Sequence, residues 1–147
     1  MWRRASTAST SAPQLLVGKS MAITGGVTGI GRAIALGYLA NGANVAVNHF
    51  GDPKSSAQFQ SLLEEASQSL GSKEEAQKRL IEVPGDVSNP ETGKKLVAAV
   101  VEKWGRLDVC ISNAGICEFK EFLEYARPII RPFLPVRNHI SNKSDTE

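Results

Sequence analysis

Apolar and polar positions alternate in blocks from Ser20 onward, and the blocks are separated by regular punctuation. Met21–Thr24 is a short apolar run closed by Gly25-Gly26, which suits a buried strand. Ile30 to Ala40 reads as a helix, with Ile30, Ala33, Ile34 and Gly37 on one face and Asn41-Gly42 as its stop. Asn44–Phe50 is strand-like through the alternation of Val45 and Val47. Ser55–Leu80 is a long polar-faced helical stretch that breaks at Gly71. Ile81–Pro84 is a third apolar run, ended by Gly85-Asp86. Pro90–Trp104 is helical, with Leu96, Val97, Val100 and Val101 as its apolar side. Leu107–Ser112 is a fourth run, ended by Asn113-Ala114-Gly115.

The order is therefore β-α-β-α-β-α-β. Strands that alternate with helices pair in parallel through right-handed crossovers. Helices on both faces of the sheet explain why the strands are apolar runs and not strict alternations. After Glu124 the pattern stops: Pro128, Pro132 and Pro135 forbid a regular helix, and a polar run follows from Asn138. Three regions are expected: a flexible arm over 1–18, an α/β domain over 19–124, and a divergent, irregular Pro-containing tail over 125–147.

Length and charge narrow the classes. A chain of 147 residues holds one globular domain. No window approaches the run of about 20 apolar residues that a membrane span needs. The net charge of +2 is unevenly placed. Arg3, Arg4 and Lys19 give +3 over residues 1–20, and residues 125–147 carry a further +2, so the body from 21 to 124 is −3. A body of that sign presents no cationic stripe for phosphate backbones, which removes nucleic acid from the expected partners. The cytoplasm is the default compartment. The acid-free arm with its Arg, Ser and Thr also fits a very short mitochondrial presequence.

The chemistry is carried by Thr24-Gly25-Gly26-Val27-Thr28-Gly29-Ile30-Gly31, between the first strand and the first helix. Gly25 permits the tight turn off the strand, Gly29 lets a pyrophosphate approach the backbone, and Gly31 lets the helix lie close on the sheet. Amides at the helix start then face the phosphates, aided by the helix dipole. Other polar clusters have plainer readings. His49 and His139 have no partner at ligand spacing, so no metal site is expected. Cys110 and Cys117 cannot build a disulfide framework, and Cys110 reads as a small buried apolar group of the fourth strand. Glu64-Glu65 and Glu74-Glu75 read as solvated helix faces, and Trp104 as packing at the end of its helix.

The glycine pattern from Thr24 to Gly31, together with Gly85-Asp86-Val87-Ser88 and Ser112-Asn113-Ala114-Gly115, resembles the three ordered motifs of short-chain dehydrogenases/reductases. Ser112 stands where the family's last motif has its first Asn. The resemblance covers about residues 18–124, and Thr24–Ala35 and Val45–Ser55 are also similar to fungal sugar dehydrogenases of the rhamnose type. It implies a Rossmann-like, doubly wound parallel sheet in the order 3-2-1-4, cut off after about four strands. It further implies an NAD(P)-dependent oxidoreductase acting on a sugar or another alcohol/carbonyl substrate. Gly25, Gly29, Ile30 and Gly31 would line the pyrophosphate, with Thr28 beside them. Asp86 would accept from the adenine amino group, though it also suits a turn carboxylate, and Val87 would touch the ring. Asn113, Ala114 and Gly115 would run beside the ribose toward the nicotinamide. Asn48 and His49 stand at the ribose end of the second strand, where an NAD site has an acid. None stands there, which leans toward NADP, with Arg32 as a candidate helper.

The family's Tyr-x-x-x-Lys pair has no counterpart. Tyr38 is followed four residues on by Gly42, and Tyr125 by Ile129. No catalytic residue is assigned, and the chain resembles the N-terminal half of such an enzyme. Three readings follow: a truncated or misread form of an oxidoreductase, a non-catalytic dinucleotide-binding module, or a non-functional fragment. The helices through which the family assembles would be missing as well. The fourth strand would be left as an open edge, so the polypeptide alone is expected to be marginally stable or to aggregate.

Overall fold

The computed structural model describes residues 14–116, and the Pro-containing tail and the first 13 residues lie outside that range. All of the described elements belong to the compact unit that ends at Gly115. They are β1 (Ser20–Ile23), α1 (Gly29–Ala40), β2 (Asn44–His49), α2 (Pro53–Leu70), α3 (Lys73–Arg79), β3 (Leu80–Pro84), α4 (Pro90–Trp104) and β4 (Val109–Ile111). The strands form one parallel sheet in the order β3-β2-β1-β4. Both the order and the pairing agree with the sequence expectation.

Alternation along β1 distributes the core. Met21 and Ile23 face one side of the sheet, where they join Val45, Val47, Ala35, Leu39, Phe59 and Leu62 from β2, α1 and α2. Ala22 faces the other side with Ala46, Val83, Leu96 and Val100. The small side chains of Ala22 and Ala46 leave room for α4 to sit close on the sheet. The long helical stretch breaks where expected: Gly71 ends α2 in the left-handed conformation (φ 84°), and the Ser72 side chain caps α3.

Three local expectations change. The buried face of α1 is Gly31, Ala35 and Leu39, with Ile34 partly buried against the same core, while Ile30, Ala33 and Gly37 are exposed. Ile30 is 75% exposed. The helix is fixed by a close approach at Gly31, and that contact rotates Ile30 outward. Cys110 is exposed and not buried. It pairs with Ala22 on the α4 side of an edge strand, and no described residue covers it there. β4 is also shorter than the apolar run, because Asp108 turns its carboxylate back onto β1. Its Oδ2 accepts from the Ser20 amide at 2.9 Å, and its partner Arg106 lies two residues away.

Candidate functional site: the carboxyl ends of β1, β3 and β4

The loop from β1 to α1 is built by glycine at three distinct places. Gly25 adopts φ +64°, and a Cβ there would lie 2.9 Å from Ala114 Cα. Gly31 lies against Gly25 O, and its Cβ would meet Asn113 Nδ2 at 2.6 Å. Gly29 adopts φ +53°, and an added Cβ would meet nothing within 4 Å. Two of these glycines therefore serve packing within the protein, while Gly29 faces open space.

The end of β4 is fastened to this loop. Thr24 Oγ1 accepts from the amides of Asn113 and Ala114, both at 3.0 Å. Asn113 Nδ2 donates to Thr24 O and Gly25 O, both at 3.1 Å. Sequence reasoning placed Asn113 and Ala114 here but left Thr24 unassigned as a side chain. The signal was its position as the last residue before the glycines, beside a parallel strand that also ends in a polar loop.

The helix starts differ sharply. Asp52 caps α2 by accepting from the Ser55 amide, Ser72 caps α3 through Glu75, and Asn89 caps α4 through Glu91. The α1 start has Thr28 at the cap position, yet its side chain makes no cap bond, and the first turn holds no acid. Its leading amides are left open to an anion.

At the switch between β1 and β4, a cavity of about 210 Å³ is lined by Thr24, Val87, Thr92, Gly93, Leu96, Ser112 and Ala114. It draws on the loops after β1, β3 and β4, where open α/β sheets take ligands. Thr28, Gly29 and Ile30 lie exposed at the adjoining helix start, and Gly115 is exposed just beyond Ala114. Asp86 is exposed, and its Oδ1 accepts from the Ser88 amide at 2.8 Å. That bond holds its pKa below the ordinary carboxylate value. The turn function therefore occupies one oxygen of Asp86 and leaves the other for a donor from outside the turn.

The side chains of Asn48 and His49, expected at the ribose end of β2, are both buried. Asn48 is buried, and its Nδ2 donates to Val83 O at 3.0 Å and Gly85 O at 2.9 Å. His49 is buried between Ser55 Oγ (3.0 Å from Nδ1) and Glu82 Oε2 (2.9 Å from Nε2), stacked on Phe59. These side chains tie the ends of β2 and β3 together. Arg32 is likewise held, by Glu65 of α2, which is the one member of its acidic pair with an ion-pair partner among the described residues. A more open hollow of about 490 Å³, lined by Glu74, Gln77, Lys78, Lys103 and Trp104, lies at the far end of the sheet between α3 and α4. None of the motif residues borders it, and Trp104 is engaged there with Lys78 O at 3.2 Å.

Residues 19–134 match the family model for short chain dehydrogenases. The chain belongs to that family. The match runs ten residues past Glu124. The chain is 48% identical over 110 residues to L-rhamnose-1-dehydrogenase of Scheffersomyces stipitis, an alignment that covers 75% of this chain and 40% of that protein. It is 40% identical over 126 residues to L-rhamnose 1-dehydrogenase (NAD(P)(+)) of a Sphingomonas species, covering 86% of this chain and 46% of that protein. Among solved structures, L-sorbose reductase from Gluconobacter frateurii complexed with NADPH and L-sorbose superposes with a TM-score of 0.61 at 27% identity, covering 78% of this chain and 40% of the other. The chain thus spans less than half the length of these relatives. No described helix is long and apolar enough to cross a membrane.

Proposed function

We propose that this chain is the NAD(P)-binding part of a short-chain oxidoreductase for a sugar or related alcohol/carbonyl substrate. The observation that carries the proposal is the bare start of α1, the one described helix of four without a side-chain cap, opening beside a glycine with free space over it. In this reading the amides of Gly29, Ile30 and Gly31 hold the diphosphate, and Gly25 shapes the turn that presents them. Asp86 and Val87 receive the adenine, and Asn113, Ala114 and Gly115 border the ribose and nicotinamide side, with Thr24 fixing their backbone. A nicotinamide dinucleotide bound there supplies the hydride donor or acceptor.

NADP is the proposed preference. Asn48–Gly51 offers no carboxylate to a ribose 2′-hydroxyl, and Asp52 accepts the Ser55 amide as the cap of α2. The sugar substrate follows the rhamnose dehydrogenase relatives. Turnover by this chain alone is not proposed, because neither Tyr38 nor Tyr125 has a lysine four residues on to lower its pKa. The full chain, shown folded by a cooperative melt, is titrated calorimetrically with ADP, NADH and NADPH. Saturable heat with ADP, and tighter binding of NADPH than NADH, is expected. Folded protein that gives no saturable heat with any of the three overturns the reading.

A further inference from the structure

We infer that Arg32 is a positioning residue, which seats the glycine loop against α2 so that its amides keep the geometry a diphosphate needs. The inference rests on the dinucleotide reading above and adds to it a residue outside the glycine pattern. Arg32 lies one residue beyond Gly31, within the first turn of α1. Its Nε and Nη2 reach Glu65 Oε2 at 3.1 and 2.8 Å, and Nη2 also reaches Ser61 Oγ at 3.1 Å. Its Nη1 donates to Gln58 O at 3.3 Å and to Val27 O at 3.4 Å. One planar guanidinium thus links the carbonyl of a glycine-loop residue to three successive turns of α2.

Charge and burial decide what this link does. The Arg32 side chain is 22% exposed and that of Glu65 is 53% exposed. A half-exposed ion pair contributes little to stability by itself. Its consequence is geometric: Glu65 fixes the fork, and the fork fixes the loop. The start of the loop is tied to the sheet by the Gly26 amide on Asn48 O and the Thr24 amide on Ile111 O, both at 3.0 Å, and by Asn113 Nδ2 on Gly25 O at 3.1 Å, none of which reaches the Val27 carbonyl. The Val27 side chain is buried in the core that α1 and α2 share, so it seats the residue without restraining its carbonyl. Without Arg32, nothing polar among the described contacts restrains the Val27 carbonyl, and the peptides that follow it are the ones that must face the phosphates. Lysine cannot replace the fork, because a point charge lacks its set of planar donors.

The test uses the full chain and three variants: Arg32→Met, Arg32→Lys, and the exchange Arg32→Glu with Glu65→Arg. Binding of ADP and of adenosine is measured for each, with melting temperature and hydrogen exchange at the Gly26 amide. Arg32→Met should weaken ADP about tenfold, the scale of a lost charge-assisted hydrogen bond, and leave adenosine within about twofold. Arg32→Lys should fall between Arg32→Met and the unmodified chain. The exchange variant restores the pair of charges but puts an acceptor against Val27 O, so ADP should stay weak while the melting temperature changes little in this variant and in Arg32→Met alike. Full recovery of ADP affinity by the exchange, equal losses for ADP and adenosine, or no loss in Arg32→Met would each overturn the inference. Should the unmodified chain bind no ADP, the dinucleotide reading fails by itself. Gly26 exchange in Arg32→Met then decides the clasp separately: faster exchange supports it, and unchanged exchange overturns it.

Discussion

Two glycines of the same loop should respond oppositely to the same substitution. An alanine at Gly31 places its Cβ against Gly25 O and 2.6 Å from Asn113 Nδ2. The backbone carbonyl cannot yield without moving the turn, and Asn113 cannot yield without giving up Thr24 O and Gly25 O. Overpacking costs about 1–3 kcal/mol. Two lost hydrogen bonds cost about 1 kcal/mol each. The better helix propensity of alanine returns up to about 1 kcal/mol. The net loss for Gly31→Ala is therefore about 2–4 kcal/mol, or a melting point lower by about 10–25 °C for a domain of this size. At Gly29 the added Cβ meets nothing, and only the left-handed φ opposes it. That strain is about 1–2 kcal/mol, and a stiffer unfolded chain offsets about 0.4–1 kcal/mol of it. Gly29→Ala should hence melt within about 5–8 °C of the unmodified chain. It should still bind ADP poorly, because its Cβ stands in the space over the bare amides. Thermal melts and ADP titrations on both variants check this. A Gly31→Ala protein that melts within two or three degrees of the parent, or a Gly29→Ala protein as unstable as Gly31→Ala, would refute the division of labour between the two glycines.

Removing the buried Asn48 donor with Asn48→Ala leaves Val83 O and Gly85 O without it and should destabilise the chain by about 1–3 kcal/mol in urea titration. Asp108 titrates at about 2, held below the ordinary value of 3.8 first by Arg106 and then by the Ser20 amide. A depressed folded pKa gives stability that is present above the unfolded value and lost as pH falls toward the folded one. Melting temperature should accordingly drop between about pH 4 and pH 2, and Asp108→Asn should flatten that part of the profile. The exposed Cys110 should react with a disulfide reagent as fast as a free thiol in a folded Cys117→Ser background; slow reaction there would show that its face of β4 is covered.

The order of elements was legible because each strand is an apolar run with glycine or asparagine at its carboxyl end. The open space at Gly29 was legible too, since a glycine at a strand-to-helix junction suits a backbone that a diphosphate must approach. The buried face of α1 was not, because Ile30/Ala33/Ile34/Gly37 and Gly31/Ala35/Leu39 both satisfy helical spacing. A steric contact at Gly31, and not apolar content, chooses between them. Asn48 and His49 look from the chain alone like polar groups awaiting a ligand. Their partners, Val83, Gly85 and Glu82, stand more than thirty residues away on a neighbouring strand and the turn that follows it. Arg32 presents the same difficulty, since its role depends on Gln58, Ser61 and Glu65 of a different helix. The burial expected of Cys110 fails because burial of an edge strand depends on what lies beyond it, which no local pattern encodes.

The hydroxyl of Thr24 joins residues 89 and 90 positions apart in the chain, through a strand only three residues long. Non-local closures of this kind form late, after their loop entropy has been met by other contacts. A short outer strand also opens before the rest of the sheet does. The floor of the proposed nucleotide site should therefore be the last part of the described sheet to assemble and the first to come apart, and amide protection at Asn113 and Ala114 becomes a clock for it. A bound dinucleotide, by bridging the two sides of that seam, would slow its opening far more than it would raise the stability of the central strands.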